Sequence, residues 1–569
     1  MNFQPSTFSV LKIIFVVFSI TVTACTSQPK KPETITPELS FLHVNGHDMI
    51  DADSNKVFLK SIGLGNWMLP EGYMWKFGEK GDRPRRIEKI VSNLIGEEEA
   101  RKFWQEFREN YITEADIRRI KELGFNAVRP ALNARLFLTE SDSPQFVEEG
   151  FILLENLVQW CKKYGLYVII DMHGAPGGQT GANIDDSPND LPELFMDVKH
   201  QDALVKLWVE IATRYKDEPT VAAYDLLNEP LPHRNGMGEK YGHLVEPLYK
   251  RLTDEIRKVD TKHMITLEGI DWSNDWSIFG EPFDDNTFYQ FHYYCWDNPD
   301  NLKSVNYFID ERKKLNRPIW VGETGEKANA IYWGTTQYFE LNNIGWSFWP
   351  WKKMDTKNTP YSIKKPANWD KIAAYTREGE KPDENLAKKA FNELLENIKL
   401  NNCEYFQDVT HAIFRKIPGK IEAENYLQGA YNETWFVADT SKKASVYRSN
   451  EFVPIELISV DSTTHKWKWY TEQAIELKKG EWVDYEINSD ETAINKTRLF
   501  IKTNEPVSKL LFSNNGKAII VELENTDWDF VFVGEIPIKE GINKIKIKVV
   551  KGSVSIDWME FKVAQAKEE

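Results

Sequence analysis

Seven short apolar runs in this 569-residue chain are each followed at once by residues suited to acid–base chemistry. Arg129 follows the run Phe125 to Val128, Asp171 and His173 follow Leu166 to Ile170, and Asn228 and Glu229 follow Val221 to Leu227. Glu268 follows Met264 to Leu267, His292 and Tyr294 follow Thr287 to Phe291, Glu323 follows Pro318 to Val321, and Trp349 follows Gly345 to Phe348. One charged residue at the end of an apolar run is ordinarily a loop or rim group. The same placement at seven successive ends is a pattern. Two carboxyl groups on either side of a bond can split it, one protonated to help an oxygen depart and one ionised to meet the cationic centre left behind. Glu229 and Glu323, 94 residues apart (323 minus 229), can supply both.

The elements that must position these residues follow from the spacing. An earlier run, Val57 to Leu64, makes eight, and longer amphipathic stretches lie between them. In one such stretch Thr113 followed by Asp116 makes an N-terminal cap and Gly124 a stop, so a helix is expected there. Eight strands alternating with helices close most simply into a (β/α)8 barrel of the α/β class, spanning residues 40–400. Its site lies where the C-terminal strand ends meet the loops, so distant carboxylates share one mouth.

Five blocks now resemble one family. Val128-Arg129-Pro130, Asp171-Met172-His173-Gly174, Leu227-Asn228-Glu229-Pro230, Phe291-His292-Tyr293-Tyr294 and Val321-Gly322-Glu323-Thr324 are similar, in order, to the signature elements of glycoside hydrolase family 5. The resemblance implies a retaining β-glycosidase acting through a covalent glycosyl-enzyme, with Glu229 as acid/base and Glu323 as nucleophile. It also implies that Arg129 and Tyr294 hold Glu323 ionised, that Asn228 meets the sugar 2-hydroxyl, and that His173 and His292 shape the glycone pocket. Trp349 takes the place of the platform under the first glycone ring, with Trp351 as its rival. No cofactor is implied for catalysis.

Substrate identity rests on two further stretches. The loop from His173 to Gly181 and the segment from Gly345 to Lys352 resemble those of exo-β-1,3-glucanases, so the expected activity is hydrolysis of β-glucosidic bonds in β-glucan oligo- or polysaccharides, exo-acting. Two alternatives stay open: a hydrolase of another β-glycan, such as mannan or a glycolipid glycan, and a catalytically inactive surface glycan-binding protein. The charged, aromatic insertion from Pro70 to Asn110 is either a further pocket wall or a plain surface helical insert.

Residues 401–418 read as a linker, and from Gly419 to Ala564 short alternating runs with turn residues predict an all-β domain. The stretches Ile421 to Tyr426, Gly480 to Tyr485 and Val554 to Phe561 resemble carbohydrate-binding modules of families 6 and 35, which are jelly-roll sandwiches. That resemblance implies a structural Ca2+ near Glu422, Glu424 and Asp557, and oxygen-only ligands are what a hard cation prefers. Ser555 stands where the pattern often carries a sugar-contacting Asn, so the module either binds glycan or only braces the barrel, with Trp435 and Trp528 as candidate stacking residues.

At the other end, Lys12 and the apolar run Ile13 to Ile20 precede Val22-Thr23-Ala24-Cys25, which resembles a bacterial lipobox. Residues 1–24 are then a lipoprotein signal peptide, Cys25 the lipidated residue and 25–39 a linker, giving an exported, membrane-anchored protein, periplasmic or on the cell surface. The other cysteines, at 161, 295 and 403, read as mostly buried thiols rather than a disulfide framework. A net charge of -16 without a long basic run disfavours nucleic acid, and aromatics at 13% with 20 Trp suit stacking on sugar rings as well as a core. The expected partner is a β-linked carbohydrate, and the expected state a monomer.

Overall fold

The structure, a computed structural model, describes residue 1 and residues 38–294, 302, 304–444, 448, 451–458 and 473–564. The signal-peptide and lipidation expectations at 2–37, with Cys25, lie outside the described residues, as does Cys295.

Eight parallel strands close into a barrel: β1 (Lys60–Leu64), β2 (Ala127–Asn133), β3 (Tyr167–Gly174), β4 (Val221–Asp225), β5 (Met264–Glu268), β6 (Thr287–Tyr293), β7 (Ile319–Gly325) and β8 (Gly345–Trp349), with β8 pairing back to β1. These are the eight apolar runs of the sequence. Helices coat the strands from outside, so both strand faces are buried, which explains near-continuous apolar runs where a half-exposed sheet would alternate. Burial also hides strand ends. Several strands continue past the apolar run, so Arg129, Asp171, His173, Glu268, His292 and Glu323 lie inside strands rather than after them.

The helix Glu114–Leu123 carries the expected capping box, Thr113 with Asp116, and ends at Gly124 in a left-handed conformation. The insertion after β1 is both things the sequence left open. Its helices, α1 (Pro84–Ile95) and α2 (Glu97–Tyr111), pack Trp75, Phe103, Trp104 and Phe107 into an aromatic cluster with Trp369, while Glu71 and Tyr73 reach the mouth of the barrel.

Residues 401–418 differ from the linker expectation. Glu404–Tyr405 extends a three-stranded sheet at the barrel's flank, and α3 (Gln407–Phe414) buries Val409, Ile413 and Phe414, apolar positions that a solvated linker would leave exposed. From Lys416 onward the chain forms two six-stranded sheets packed face to face. Trp482–Ser489 alternates half-buried and buried positions, the period-two pattern of a sheet with one face in a core. This sandwich sits against α4 (Asn329–Leu341), the barrel helix that follows β7. Trp333 of that helix belongs to the sandwich core, and Gln428 donates from its backbone to Gln337 (3.0 Å) and from its side chain to the Gly334 carbonyl (3.2 Å).

Candidate active site

A cavity of about 770 Å3 opens at the C-terminal ends of the strands, within the range of small-molecule sites. Glu229, Glu323, His173, His292, Tyr294 and Trp349 line it, while Arg129 and Asn228 lie fully buried beneath its floor. All eight residues picked from the sequence as catalytic or substrate-binding are thus in one place. Trp351 is not among the lining residues: its indole is buried and donates to Asp116 (2.9 Å), which removes it as a platform candidate.

Arg129, in the middle of β2, is the hub. It donates to Glu323 Oε1 (2.7 Å), Asp225 Oδ2 (2.8 Å), Asn228 Oδ1 (2.9 Å) and Glu268 Oε1 (3.1 Å), and Asp171 lies 3.3 Å away. Burial works against its charge, but the surrounding carboxylates more than reverse this and hold the proton more firmly than usual. Glu323 receives Arg129 on one oxygen and the Tyr294 hydroxyl (2.8 Å) on the other. Burial raises its pKa, while His292 and Arg129 pull it back.

A bulge between Phe291 and His292 shifts the β6–β7 register so that His292 stands opposite Glu323. Its Nδ1 lies 2.6 Å from Glu229 Oε1 and 3.6 Å from Glu323 Oε2, and its Nε2 is 3.4 Å from Glu268. Burial disfavours an imidazolium here, yet the carboxylates of Glu268, Glu323 and Glu229 outweigh it and push the His292 pKa well up. Glu229 itself is held in a left-handed backbone conformation (φ 44°), with its amide donating to Glu268 Oε2 (2.7 Å). Such a conformation costs a non-glycine residue energy and persists only where its surroundings enforce it.

His173 behaves oppositely. Burial lowers its pKa to about 4, and that of Asp171, 2.7 Å from its Nδ1, is raised by burial to about 7. With Nδ1 donating to Asp171, Nε2 is left to accept from the Asn228 amide (3.3 Å), whose oxygen is already engaged by Arg129. One chain of hydrogen bonds so runs from Asp171 through His173, Asn228 and Arg129 to Glu323. Asp225, raised by burial to about 8, completes the floor.

The loop after β3 is tied down by Gln179, which donates to the backbone carbonyls of His173 (2.7 Å) and Asn228 (3.0 Å) and accepts from the Ala175 amide (3.1 Å). Its continuation brings Asn183 and Ile184 to the rim. The Trp349 ring runs parallel to the His173 ring (5.3 Å between centroids, 4°) and donates from Nε1 to the Tyr73 hydroxyl (3.1 Å). Its indole lies against the backbone of Gly63, where an added Cβ would come within 2.2 Å of the ring, so only glycine fits.

Several cavity residues were not picked from the sequence. Glu71 is buried with Oε1 lacking a hydrogen-bond partner, and burial together with Glu323, Glu326 and Glu229 pushes its pKa well up. Glu326 pairs with Lys353 at 2.5 Å. Asp271, Trp272 and Asn274 come from the loop after β5, and Tyr307 and Phe308 from α5 (Val305–Leu315). Extending the strand-end rule to β1 and its long insertion finds Glu71; nothing in the local sequence points to Trp272.

In the sandwich, Glu422 and Glu424 are buried, and each has an oxygen without a hydrogen-bond partner. Burial raises Glu422 to about 6, and burial plus the charges of Glu422 and Asp557 raises Glu424 further. Two desolvated, mutually repelling carboxyls suit a hard cation, although Lys420 also pairs with Glu422 at 2.9 Å. The convergence is looser than in the barrel. Among the described residues, Glu229, His292 and Glu323 are the one group of three such side chains whose ligand atoms lie within 4.8 Å of one another. The other residues proposed to stack sugar do not present clear faces: Trp435 is buried, and Trp528 is stacked on Phe500 (5.5 Å) with Lys502 over its ring.

Residues 91–355, just under half of the chain, match the model of the cellulase family, glycosyl hydrolase family 5. A β-xylosidase of Phanerodontia chrysosporium is 27% identical over 57% of this chain and 74% of its own length. A probable glucan 1,3-β-glucosidase A of Aspergillus fumigatus is 25% identical over 52% of this chain and 82% of its own. Among solved structures, Thermotoga maritima Cel5A in complex with cellobiose aligns with a TM-score of 0.40 at 20% identity, covering 56% of this chain and 97% of that one.

Proposed function

We propose that this chain, which carries a glycosyl hydrolase family 5 domain at residues 91–355, is a retaining, exo-acting hydrolase of β-glucosidic bonds in β-glucan oligo- or polysaccharides. The observation that carries the reading is the carboxyl pair. Oxygens of Glu229 and Glu323 lie within 4.8 Å of each other, close to the separation used by retaining enzymes and too near for the water that inverting enzymes place between carboxyls about 6.5–9.5 Å apart.

Glu323, oriented by Arg129 and Tyr294, attacks the anomeric carbon while Glu229 gives its proton to the departing oxygen. The C–O bond to the leaving group breaks as the Glu323–carbon bond forms. Glu229, now ionised, takes a proton from water, whose oxygen displaces Glu323 and restores the starting state. His292, 2.6 Å from Glu229, stabilises that ionised form electrostatically. Asn228, fixed by His173 and Arg129, meets the 2-hydroxyl, and Trp349 underlies the glycone.

The glucan assignment is supported by the glucanase-like loops at His173 to Gly181 and Gly345 to Lys352 and by the name of the Aspergillus relative. Exo action is supported by the walls that Glu71, Tyr73 and the β3 loop raise around the mouth. The β-xylosidase relative favours a second reading, hydrolysis of another β-glycan, by the same chemistry. An inactive glycan-binding role is disfavoured by the complete carboxyl pair.

For the rest of the chain we infer export, lipidation at Cys25 and membrane anchoring, supported by the lipobox-like sequence, and a monomer. Glu422, Glu424 and Asp557 are assigned to a structural Ca2+ in the sandwich, supported by the buried, repelling pair.

The test is a panel of β-1,3-, β-1,4- and β-1,6-glucans, mannan and aryl β-glucosides and β-xylosides, digested by the chain without residues 1–25 and by its Glu323→Ala variant. Glucose released from one linkage by the first protein and not by the second supports the proposal; release of another sugar moves the substrate, and no turnover of any member overturns it.

A further inference from the structure

Helix α1 begins with the wrong charges. Its N-cap is Arg83, whose side chain caps nothing, and Arg85 and Arg86 fill the first turn, where orphan amides and the helix dipole favour acidic groups. The missing carboxylates come from the loop after β3, 101 residues along the chain. Asp186 accepts from the Arg85 amide (2.9 Å) and from its Nε (3.3 Å), and that Nε also donates to the Asp186 carbonyl (2.8 Å). Asp190 receives Arg83 on one oxygen (2.7 Å) and Arg86 on both (2.8 and 2.7 Å). Arg83 and Asp186 are buried, while Asp190 is 55% exposed. Asn133, the last residue of β2, also donates to Asp186 (3.0 Å), so the cluster closes over the end of that strand.

Both partners carry walls of the cavity. On the side of the insertion, Arg83 and Arg86 also hold Asp82 (2.9 and 3.2 Å), whose carbonyl accepts from the Gly72 amide (2.9 Å). Gly72 lies between Glu71 and Tyr73, both on the cavity, and a Cβ added to it would come within 2.2 Å of the Gly81 carbonyl oxygen, so the two backbone stretches touch. On the side of the β3 loop, Asp185 folds the chain back on itself, accepting from the amides of Thr180 (2.8 Å) and Ser187 (2.9 Å). The tip so formed presents Asn183 and Ile184 to the cavity. The two walls stand on either side of β2, in the barrel order β8, β1, β2, β3. That sector includes Trp349, under the glycone; Glu229, on whose side the leaving group departs, follows β4 and lies outside it.

We propose that this clamp, Asp186 with Arg85 and Asp190 with Arg83 and Arg86, limits the glycone side of the cavity to a single sugar ring, so that these residues set exo action. The inference rests on the exo reading made above. A glycan running past the first glycone ring has to pass between the two walls, and the clamp holds them together. Its members are positioning residues, acting through Glu71, Tyr73, Asn183 and Ile184.

The experiment uses 4-nitrophenyl β-laminaribioside and β-cellobioside, with 4-nitrophenyl β-glucoside as the one-ring control. A site that admits one glycone ring releases glucose first and leaves 4-nitrophenyl glucoside; a site that admits two releases the disaccharide and 4-nitrophenol. The wild type is expected to release glucose first. The share of disaccharide-first cleavage is expected to rise about threefold in Asp190→Asn, where a half-exposed charge pair is lost, and about tenfold in Asp190→Asn with Arg85→Gln. Turnover of the glucoside should stay within about threefold of the wild type in both, because the catalytic carboxyls are untouched. Asparagine tolerates the left-handed backbone of position 190 (φ 57°), so the single variant decides the matter if the double one does not fold. A folded variant that cuts the glucoside normally and still releases only glucose first overturns the clamp. A wild type that releases the disaccharide first overturns the exo reading and the clamp with it. Absence of wild-type turnover on all three substrates sinks the hydrolase reading and this inference together, a result separable from a working enzyme indifferent to Asp190 and Arg85.

Discussion

The barrel holds two buried Asp–His pairs, one at each end, and they are built to opposite purposes. At the bottom, in the turn before β5, His263 is bonded on both nitrogens, to Asp260 (2.5 Å) and to the Glu218 carbonyl (3.0 Å). Asp260 also accepts from the Tyr224 hydroxyl (2.7 Å) and the Lys262 amide (2.8 Å). Burial raises its pKa, but these donors more than offset that and bring it to about 2. At the mouth, Asp171 has the same kind of partner 2.7 Å away and the Arg129 guanidinium 3.3 Å from its other oxygen, yet burial lifts it to about 7. The saturated pair is a fixed ion that ties a turn to a strand. The pair at the mouth stands instead beside Asn228 and the carboxyls of the site. A carboxylate's charge state is thus set by how far its donors offset its burial, which is deeper at Asp171 than at Asp260.

Each prediction tests that contrast, and the largest effect belongs to the hub of the mouth. Arg129→Met leaves buried carboxylates without their common cation, and the expected cost is about 3–5 kcal/mol of stability with loss of turnover; a variant that melts with the wild type removes Arg129 as the hub. Asp171→Asn is expected to lower kcat/KM about 10- to 100-fold, by analogy with groups that orient a catalytic ligand, with little change in melting temperature because the buried acid gains so little from its neighbours. Asp260→Asn should do the reverse, leaving kcat/KM of the folded enzyme unchanged and costing about 1–2 kcal/mol after allowance for solvent screening.

The pH dependence of that last cost follows from the direction of the shift. Asp260 titrates at about 2 folded and about 3.9 unfolded, so its stabilisation is complete above pH 5 and disappears as pH falls through 2. Denaturant midpoints of wild type and Asp260→Asn should converge over that interval, and parallel curves would contradict the assignment. The smallest effect is expected from chelation. Removing a cation from Glu422 and Glu424 should lower the melting temperature by a few degrees without altering kcat/KM, and calorimetry with and without Ca2+ reads it.

The contrast also explains what the sequence could and could not disclose. Parallel strands buried on both faces write themselves as apolar runs, so all eight were legible, and polar residues at their ends marked Arg129, Glu229, His292 and Glu323. The distinction between Asp171 and Asp260 was invisible, because it depends on a hydroxyl donor brought to Asp260 by Tyr224 and on a carbonyl acceptor brought to His263 by Glu218, both distant in the chain. Trp272 was hidden for a related reason: its place depends on Leu231 and Gln290 holding a turn that local propensity disfavours. Residues 401–418 were misread because the apolar face of α3 is only eight residues long and finds its partner in α4.

The account stands or falls on the covalent step at Glu323. Incubation with an activated 2-deoxy-2-fluoro-β-glucoside, followed by proteolysis and mass spectrometry, should find the fluoroglucosyl group on the peptide carrying Glu323, with slow recovery of activity when an acceptor sugar is added. Labelling of another residue, or a turnover product of inverted configuration with no labelled enzyme, would contradict it.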